Sequence, residues 1–218
     1  MKRATALLSL MVVLLAPSAV RSELLIDAQA GVASSYDYPL SHASGRAVLT
    51  DGANLVASIH ASMPVAPRWS LLLGGMYWSD AGGVTLPKIP ESPNWEVSSR
   101  VVPAVLGLRL RPGPLDQSVA LHLEIGAGAA ILRTKVREVP PAFFGELSPE
   151  RSSMEVAPTG YVGAALSTPV LHRADLVFRG AYLFSGDFGN DEALIADLEY
   201  GGLREMTMSA GVQVRLGR

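Results

Sequence analysis

The feature that most constrains this chain is the stretch 119–133 (VALHLEIGAGAAILR), whose side chains alternate in character from one residue to the next. Successive side chains of a β-strand point to opposite faces, so one face of this stretch is wholly apolar from Val119 to Ile131. The other face carries His122 and Glu124 among glycine and alanine residues. Because charged and very small residues share a face, we predict that this face lines a narrow polar lumen and that the apolar face meets lipid.

Seven further segments show the same alternation. They are residues 24–36, 53–65, 69–79, 100–111, 155–168, 175–185 and 205–216. Each segment has a central part of about ten residues, long enough at the usual tilt to cross an apolar band ~25 Å tall. The charged residues of these central parts lie on the face opposite the apolar one. The sequence therefore predicts an all-β protein, an eight-stranded antiparallel up-and-down transmembrane β-barrel.

The connections between the eight segments alternate between short and long. The short ones are residues 66–68, 112–118 and 169–174, and the long ones are residues 37–52, 80–99, 134–154 and 186–204. Outer-membrane barrels have short periplasmic turns and long external loops. We therefore expect a protein of the outer membrane of a Gram-negative bacterium, with periplasmic N- and C-termini and external long loops.

Residues 1–22 have the pattern of a cleaved signal peptide. Lys2 and Arg3 precede an apolar run over residues 4–16, and small residues permit cleavage after Ser22, or earlier near Ser18 and Ala19. The alternative is a retained anchor helix, which the short apolar run disfavours. The sequence thus predicts a signal peptide over residues 1–22 and a barrel domain over residues 23–218.

Composition excludes several classes of partner and site. The net charge of −2 and the lack of a basic cluster in the sequence argue against nucleic acid as a partner. The chain has no cysteine, which excludes disulfides and thiolate metal sites. The four histidines are scattered, so we expect no metal site made from them, and no cofactor is predicted.

Eight such strands after a signal peptide resemble the small outer-membrane barrels of the OmpA/OmpX-like type, within the wider outer membrane protein β-barrel domain family. The resemblance covers about residues 24–218 and is one of architecture. At the chain end, Ser209, Gly211, Val214 and Leu216 resemble the β-signal that the barrel-assembly machinery recognises, although the last position is usually aromatic in bacterial members. The resemblance implies outer-membrane lipid and lipopolysaccharide as surroundings and leaves the external partner unknown.

Seven polar residues are predicted to point into the lumen as an ion-pair network. They are Asp27, Arg109, His122, Glu124, Arg179, Gln213 and Arg215. An eight-stranded barrel is barely wide enough for its own side chains, and unpaired charges there would be costly. We expect Glu124 to pair with Arg109 or Arg179, and Asp27 with Arg215, so that the lumen is plugged. A proton or ion path along the same residues is the alternative.

Other local patterns give narrower predictions. The aromatic residues that fit membrane-interface positions are Trp69, Tyr77, Phe178, Tyr182 and Phe184. Pro103 and Pro158 fall within strands, near their loop ends, and predict β-bulges at the rim. In the last long loop, Asn190 is predicted to cap a short helix over residues 191–198. No metal is predicted there, although Asp187, Asn190 and Asp191 form a candidate cation site whose spacing is not that of an EF-hand.

Three functions follow from different readings of the lumen. The first is a structural or surface-interaction role with a closed lumen. The second is a narrow pore for small or hydrophobic solutes. The third is a secreted soluble barrel that binds a ligand inside, which requires an apolar lumen and a charged outside. No catalytic constellation is recognisable, since Ser58, His60 and Ser62 face inward, so an enzyme is not expected.

Overall fold

The structure, a computed structural model, describes residues 23–35, 40–42, 45–47, 53–84, 94–114, 118–139, 150–188, 198–200 and 202–217. Eleven strands lie in these ranges: β1 (Leu24–Ser35), β2 (Leu40–His42), β3 (Gly45–Ala47), β4 (Ala53–Ala66), β5 (Trp69–Val84), β6 (Asn94–Leu110), β7 (Ala120–Val139), β8 (Arg151–Leu171), β9 (Ala174–Ser185), β10 (Leu198–Tyr200) and β11 (Arg204–Leu216). Within the described ranges, no helix is long and apolar enough to cross a membrane.

Eight of the described strands form a closed ring in the order β1–β11–β9–β8–β7–β6–β5–β4, with β4 pairing back to β1. Every neighbouring pair in the ring is antiparallel. The short strands β2, β3 and β10 form a separate three-stranded sheet from segments of two predicted long loops. The predicted eight-stranded up-and-down barrel is confirmed.

The register of the ring sets the tilt of its strands. A path that always steps to the directly opposite residue starts at Asn54 on β4 and returns to β4 at Pro64, ten residues along (64 − 54 = 10). It passes through Ala33, Thr207, Ala181, Gly163, Glu124, Arg109 and Ser70. With ~3.3 Å of rise per residue and ~4.8 Å between strands, this stagger over eight strands tilts them by roughly 40° from the barrel axis.

Burial follows the predicted alternation. On β7, Glu124 is 3% exposed, whereas its neighbour Ile125 is 61% exposed. Between the short turns and the level of Val102, Ile131 and Met206, the described outward positions of the ring strands carry apolar residues, glycine, proline or threonine and no charged residue. We call this outward surface the apolar belt. Because the apolar side chains of each strand face outward, the polar side chains of the opposite face are enclosed when the sheet closes into a barrel.

Four ring strands extend further toward the long loops than the alternation predicts. The strand β5 continues to Val84, β6 begins at Asn94, β7 continues to Val139, and β8 begins at Arg151. The ladder between β5 and β6 runs on to the Val84–Trp95 pair. These extensions lie beyond the apolar belt, and no apolar alternation in the sequence marks them.

The predicted bulges at Pro103 and Pro158 are wrong. Neither proline coincides with a register shift, and the β5–β6 ladder resumes in the same register beyond Pro103. The two register shifts recorded in the ring lie beside Pro64 and Pro169, at short turns. A proline removes only one ladder donor, and a strand can lose one bond without gaining an extra residue.

Three predictions fall on residues outside the described ranges. The signal peptide over residues 1–22 is one of them, and it stays a prediction. The predicted helix over residues 191–198 is another, apart from Leu198, which begins β10. Of the candidate cation ligands, Asn190 and Asp191 are not described, and the described Asp187 accepts a hydrogen bond from the Gly202 N–H at 3.1 Å.

Candidate functional site

Four ionisable side chains from four strands meet inside the lumen. They are Asp27 on β1, Arg109 on β6, Glu124 on β7 and Arg179 on β9, each no more than 3% exposed. We call them the lumen tetrad. Each reaches the lumen because it occupies an inward position on its strand, on the face opposite to the apolar belt.

Arg179 bridges the two carboxylates of the tetrad. Its Nε donates to Glu124 Oε2 at 3.0 Å, and its Nη1 donates to Asp27 Oδ1 at 2.9 Å. Its Nη2 donates to Asp27 Oδ2 at 3.1 Å and to Glu124 Oε1 at 3.2 Å. The planar guanidinium thereby uses its fork geometry on both acids at once.

Arg109 approaches the same two acids. Its Nε donates to Glu124 Oε1 at 2.9 Å and its Nη2 to Asp27 Oδ2 at 3.3 Å, while its Nη1 donates to Ser62 Oγ at 3.1 Å. Two guanidinium groups therefore face two carboxylates, and the buried charges balance. Such pairing, with additional hydrogen bonds, is what buried charges require.

Neutral donors complete the shell of the tetrad. The Tyr161 hydroxyl donates to Glu124 Oε2 at 2.5 Å, and Gln29 Nε2 donates to Asp27 Oδ1 at 2.9 Å. His60 Nδ1 lies 3.1 Å from Asp27 Oδ1 and 2.6 Å from Arg179 Nη1. Since a carboxylate only accepts and a guanidinium only donates, Nδ1 bonds one of these two groups at a time.

The structure brings together only part of the predicted network. Glu124 contacts both of its predicted partners, Arg109 and Arg179. The predicted Asp27–Arg215 pair is wrong, because Arg215 Nη2 instead lies 2.9 Å from both carboxylate oxygens of Asp175. The ring register explains this outcome, since Arg215 stands opposite Leu25 rather than Asp27.

The last two predicted lumen residues lie apart from the tetrad. His122 Nε2 is 3.0 Å from Ser167 Oγ on the neighbouring strand β8. Gln213 stands between Asp27 and Asp175 in the ladders of β11, and it is 2% exposed. Both side chains extend the polar lining toward the short turns.

A second layer fills the lumen on the long-loop side of the tetrad. We call it the upper apolar layer, and its members, each no more than 3% exposed, are Trp78, Val101, Leu132, Leu183, Phe188 and Leu203. Leu203 is held by its N–H, which donates to Ser185 Oγ at 2.8 Å, and by its carbonyl, which accepts from the Ser185 N–H at 3.0 Å. Phe188 and Leu203 lie near the two ends of the last predicted long loop, residues 186–204, and both are buried.

Sequence reasoning did not find this layer, nor the parts played by Tyr161, Ser62 and Gln29. A signal was present for the layer. The inward positions of β5 toward the loop end are Met76 and Trp78, so both faces of that strand are apolar there. For Tyr161 the inward position was predictable, but its contact with Glu124 depends on the register of β7 and β8.

The remaining predicted residues lie on the outer wall or at the seam of the ring. The five predicted interface aromatics, Trp69, Tyr77, Phe178, Tyr182 and Phe184, are 40–51% exposed on the wall. Ser209, Gly211, Val214 and Leu216 lie in β11, the strand that closes the ring against β1. A side chain at Gly211 would overlap the Ala28 carbonyl of β1. Recognition of this strand by the assembly machinery stays a prediction.

The residues that the structure describes include no group of three or more histidine and acidic side chains arranged to hold a metal ion. The lumen therefore contains the lumen tetrad, a charge-balanced set of hydrogen-bonded side chains that connects four strands, with the upper apolar layer on its long-loop side. This arrangement can rigidify the ring and obstruct the lumen.

No known protein family matches this chain, and no curated protein matches it in sequence. Solved structures do match its fold. OprG from Pseudomonas aeruginosa has a TM-score of 0.55 at 12% identity, covering 91% of this chain and 97% of that one. A major outer membrane protein from Thermus thermophilus has a TM-score of 0.54 at 13% identity, covering 89% and 99%. Ail, the attachment invasion locus protein of Yersinia pestis, has a TM-score of 0.51 at 12% identity, covering 89% and 99%.

This chain has the fold of the small outer-membrane β-barrels. At 12–13% identity the likeness establishes the fold alone. A fold shared at this level does not determine function, which depends on the side chains of the lumen and the outer wall.

Proposed function

We propose that this chain is an integral outer-membrane protein with a closed lumen, and that its role is structural or surface interaction rather than transport or catalysis. The observation that carries the proposal is the lumen tetrad. Its four buried side chains are joined by hydrogen bonds of 2.9–3.3 Å that run across the lumen between strands that are not all neighbours.

Opening a path through the lumen would require breaking the hydrogen bonds and ion pairs of the lumen tetrad. Removing one member of a buried ion pair typically costs about 3–5 kcal/mol, because the partner charge is left uncompensated. The upper apolar layer adds a second obstacle, because its six buried side chains, together with the buried Glu205 opposite Leu183, occupy the lumen on the long-loop side.

The proposal includes an orientation. The N- and C-termini are periplasmic, the long loops are external, and the apolar belt contacts outer-membrane lipid and lipopolysaccharide. In this view residues 1–22 direct export, the barrel-assembly machinery recognises β11, and an external partner meets the loops. The absence of charge from the described belt positions supports the membrane setting.

The alternatives fit the structure less well. A narrow pore for small or hydrophobic solutes is supported by the polar lining of the lower lumen but requires a passage through the tetrad. A secreted soluble barrel requires a polar outside, whereas Leu55 and Ile125 are 83% and 61% exposed on the wall.

The test is conductance in planar bilayers after refolding of the full chain. Folding and insertion are first verified by the mobility shift on heating in a detergent gel. We expect no steady single-channel steps from the inserted protein. Steady steps would overturn the closed-lumen proposal, and recovery of the chain in the soluble fraction after membrane fractionation would overturn the membrane assignment.

A further inference from the structure

A basic patch lies on the outer wall where β6 and β7 continue beyond the apolar belt. It consists of Arg100 on β6 and of Arg133, Lys135 and Arg137 on β7. The three β7 residues follow Ile131 at every second position, so they share its outward face, while Leu132 and Thr134 between them are buried. Arg100 has the same relation to the outward Val102 on β6. We call these four residues the outer basic patch.

The patch holds more positive charge than the described side chains around it neutralise. Arg100 stands directly opposite Arg133 in the β6–β7 ladder, and like charges in that position repel each other. Glu150 pairs with Lys135 at 2.5 Å and with Arg137 at 3.8 Å. Among the described residues, neither Arg100 nor Arg133 forms an ion pair. Among the described side chains, these four cations therefore have one acidic partner, Glu150.

The lower part of the patch, Arg100 and Arg133, lies at the level of lipid head groups. At a tilt of roughly 40°, each residue advances about 2.5 Å along the barrel axis. Arg133 therefore lies ~5 Å and Arg137 ~15 Å beyond Ile131, the last apolar outward residue of β7. Head groups occupy roughly 5–8 Å on each side of the hydrocarbon core. Arg100 and Arg133 thus meet the zone in which lipid phosphates lie.

We propose that the outer basic patch binds the phosphate groups of a lipopolysaccharide molecule seated against β6, β7 and β8. Guanidinium forks match phosphate oxygens, and phosphate would relieve the repulsion between Arg100 and Arg133. The acyl chains of the same molecule lie along Val102, Ile131 and Val156 of the apolar belt, which are exposed directly below. The inference rests on the proposed outer-membrane setting with external long loops, and it does not depend on whether the lumen is closed.

The test compares two double variants of the full chain, refolded in detergent and checked for the heat-induced mobility shift. Arg100→Gln/Arg133→Gln removes two patch charges. Arg68→Gln/Arg173→Gln, at the exposed short turns, removes two charges on the other side of the belt. The probes are bisphosphorylated lipid A, the same lipid with its phosphates removed, and inorganic phosphate. Retained lipid is measured by native mass spectrometry.

We expect the patch variant to bind bisphosphorylated lipid A about 30-fold more weakly than the wild type, and the short-turn variant to bind it like the wild type. The dephosphorylated lipid should bind the wild type and the patch variant equally, and inorganic phosphate alone should not be retained. Equal affinity of the wild type and the patch variant for bisphosphorylated lipid A would overturn the proposal. A failure of the proposed closed barrel would instead be seen as conductance, which this assay does not measure.

Discussion

Arg179 on β9 and Glu124 on β7 are hydrogen-bonded across β8, the strand that separates them in the ring, with Arg179 Nε 3.0 Å from Glu124 Oε2. The residue of β8 that stands opposite Glu124 is Gly163. A side chain there would collide with the Tyr161 hydroxyl, which itself bonds Glu124. The lumen tetrad therefore depends on the absence of a side chain at Gly163 as well as on its charged residues. We expect the effects of mutations in its members on stability to be coupled.

Replacing Arg179 by methionine should destabilise the barrel strongly. Asp27 and Glu124 would be left with Arg109 as their one remaining charged partner in the tetrad, and the expected loss is about 3–5 kcal/mol in the free energy of unfolding. Urea titration of the chain in phospholipid vesicles measures it. Arg204→Met, at an exposed position on β11, is the control and should change little. Equal effects of the two variants would mean that the tetrad contributes no stability.

The Tyr161→Phe variant tests a single neutral donor to the tetrad. The ring stays packed while the hydrogen bond to Glu124 is lost, and a hydrogen bond to a charged group contributes about 1.5–3 kcal/mol. The same urea titration measures the loss. Tyr182→Phe removes a hydroxyl from the outer wall and should be close to neutral. A neutral result for Tyr161→Phe would show that water replaces the hydroxyl without cost.

Trp78 and Tyr77 are neighbours on opposite faces of β5, which makes them a matched pair. Trp78 is fully buried in the upper apolar layer, so Trp78→Ala should leave a cavity and cost about 3–5 kcal/mol. Tyr77→Ala on the exposed wall should cost less. Unfolding titrations measure both losses in the free energy of unfolding. A larger loss for Tyr77→Ala than for Trp78→Ala would mean that the lumen above the tetrad is open and hydrated.

The apolar belt can be tested by placing a charge on it. Ile125 is the middle outward position of the apolar stretch from Val119 to Ile131, and Ile125→Arg should cost about 2–4 kcal/mol in vesicles. Val170, at the short-turn end of β8, is close to the expected interface, and Val170→Arg should cost only about 0–1 kcal/mol. If the two arginines cost the same, the wall does not contact a hydrocarbon core.

Glu150 gives a prediction about pH. The hydrogen bond from Lys135 lowers the pKa of Glu150 below its ordinary value, and the charges of Lys135, Arg137 and Arg133 lower it further. A carboxyl with a depressed folded-state pKa stabilises the fold above its unfolded pKa, and this contribution is lost as pH falls through the folded pKa. Because the group is exposed, the contribution is small.

We expect Lys135→Met to raise the pKa of Glu150 toward its ordinary value in an NMR titration of the folded protein in micelles. Arg137→Met serves as the comparison and should raise the pKa less, because Arg137 lies 3.8 Å from the carboxylate. An unchanged pKa in the Lys135→Met variant would mean that the Lys135–Glu150 ion pair does not form in solution.

The sequence predicted the features that depend on local alternation. The inward position of Glu124 and the outward position of Ile125 follow from the period of two along one strand. The eight strands and their closure follow from repetition of that pattern. The partners of Asp27 could not be predicted in the same way, because they depend on a stagger of ten residues accumulated over eight registers.

Two other features left no local signal. The pairing of Leu40 with Tyr200 joins two loops that are 160 residues apart (200 − 40 = 160), and neither segment is long enough to show a period. The loop-side extension of β7 alternates apolar and polar residues weakly, because it lies beyond the belt and its outward face is charged rather than apolar. The length of this extension of β7 is set by its pairing with the neighbouring strands β6 and β8.

The ring closes at one seam, where Leu24 of β1 stands opposite Leu216 of β11, 192 residues later (216 − 24 = 192). Every other pairing in the ring joins two ring strands that are consecutive along the chain. Among the ring pairings, the β1–β11 pairing therefore has the highest cost in chain entropy. A sheet that lacked the thirteen-residue strand β11 would have two unsatisfied edges that can pair with other chains. We therefore expect barrel formation to follow completion of β11, and a chain that ends before Arg204 to aggregate rather than form a smaller barrel.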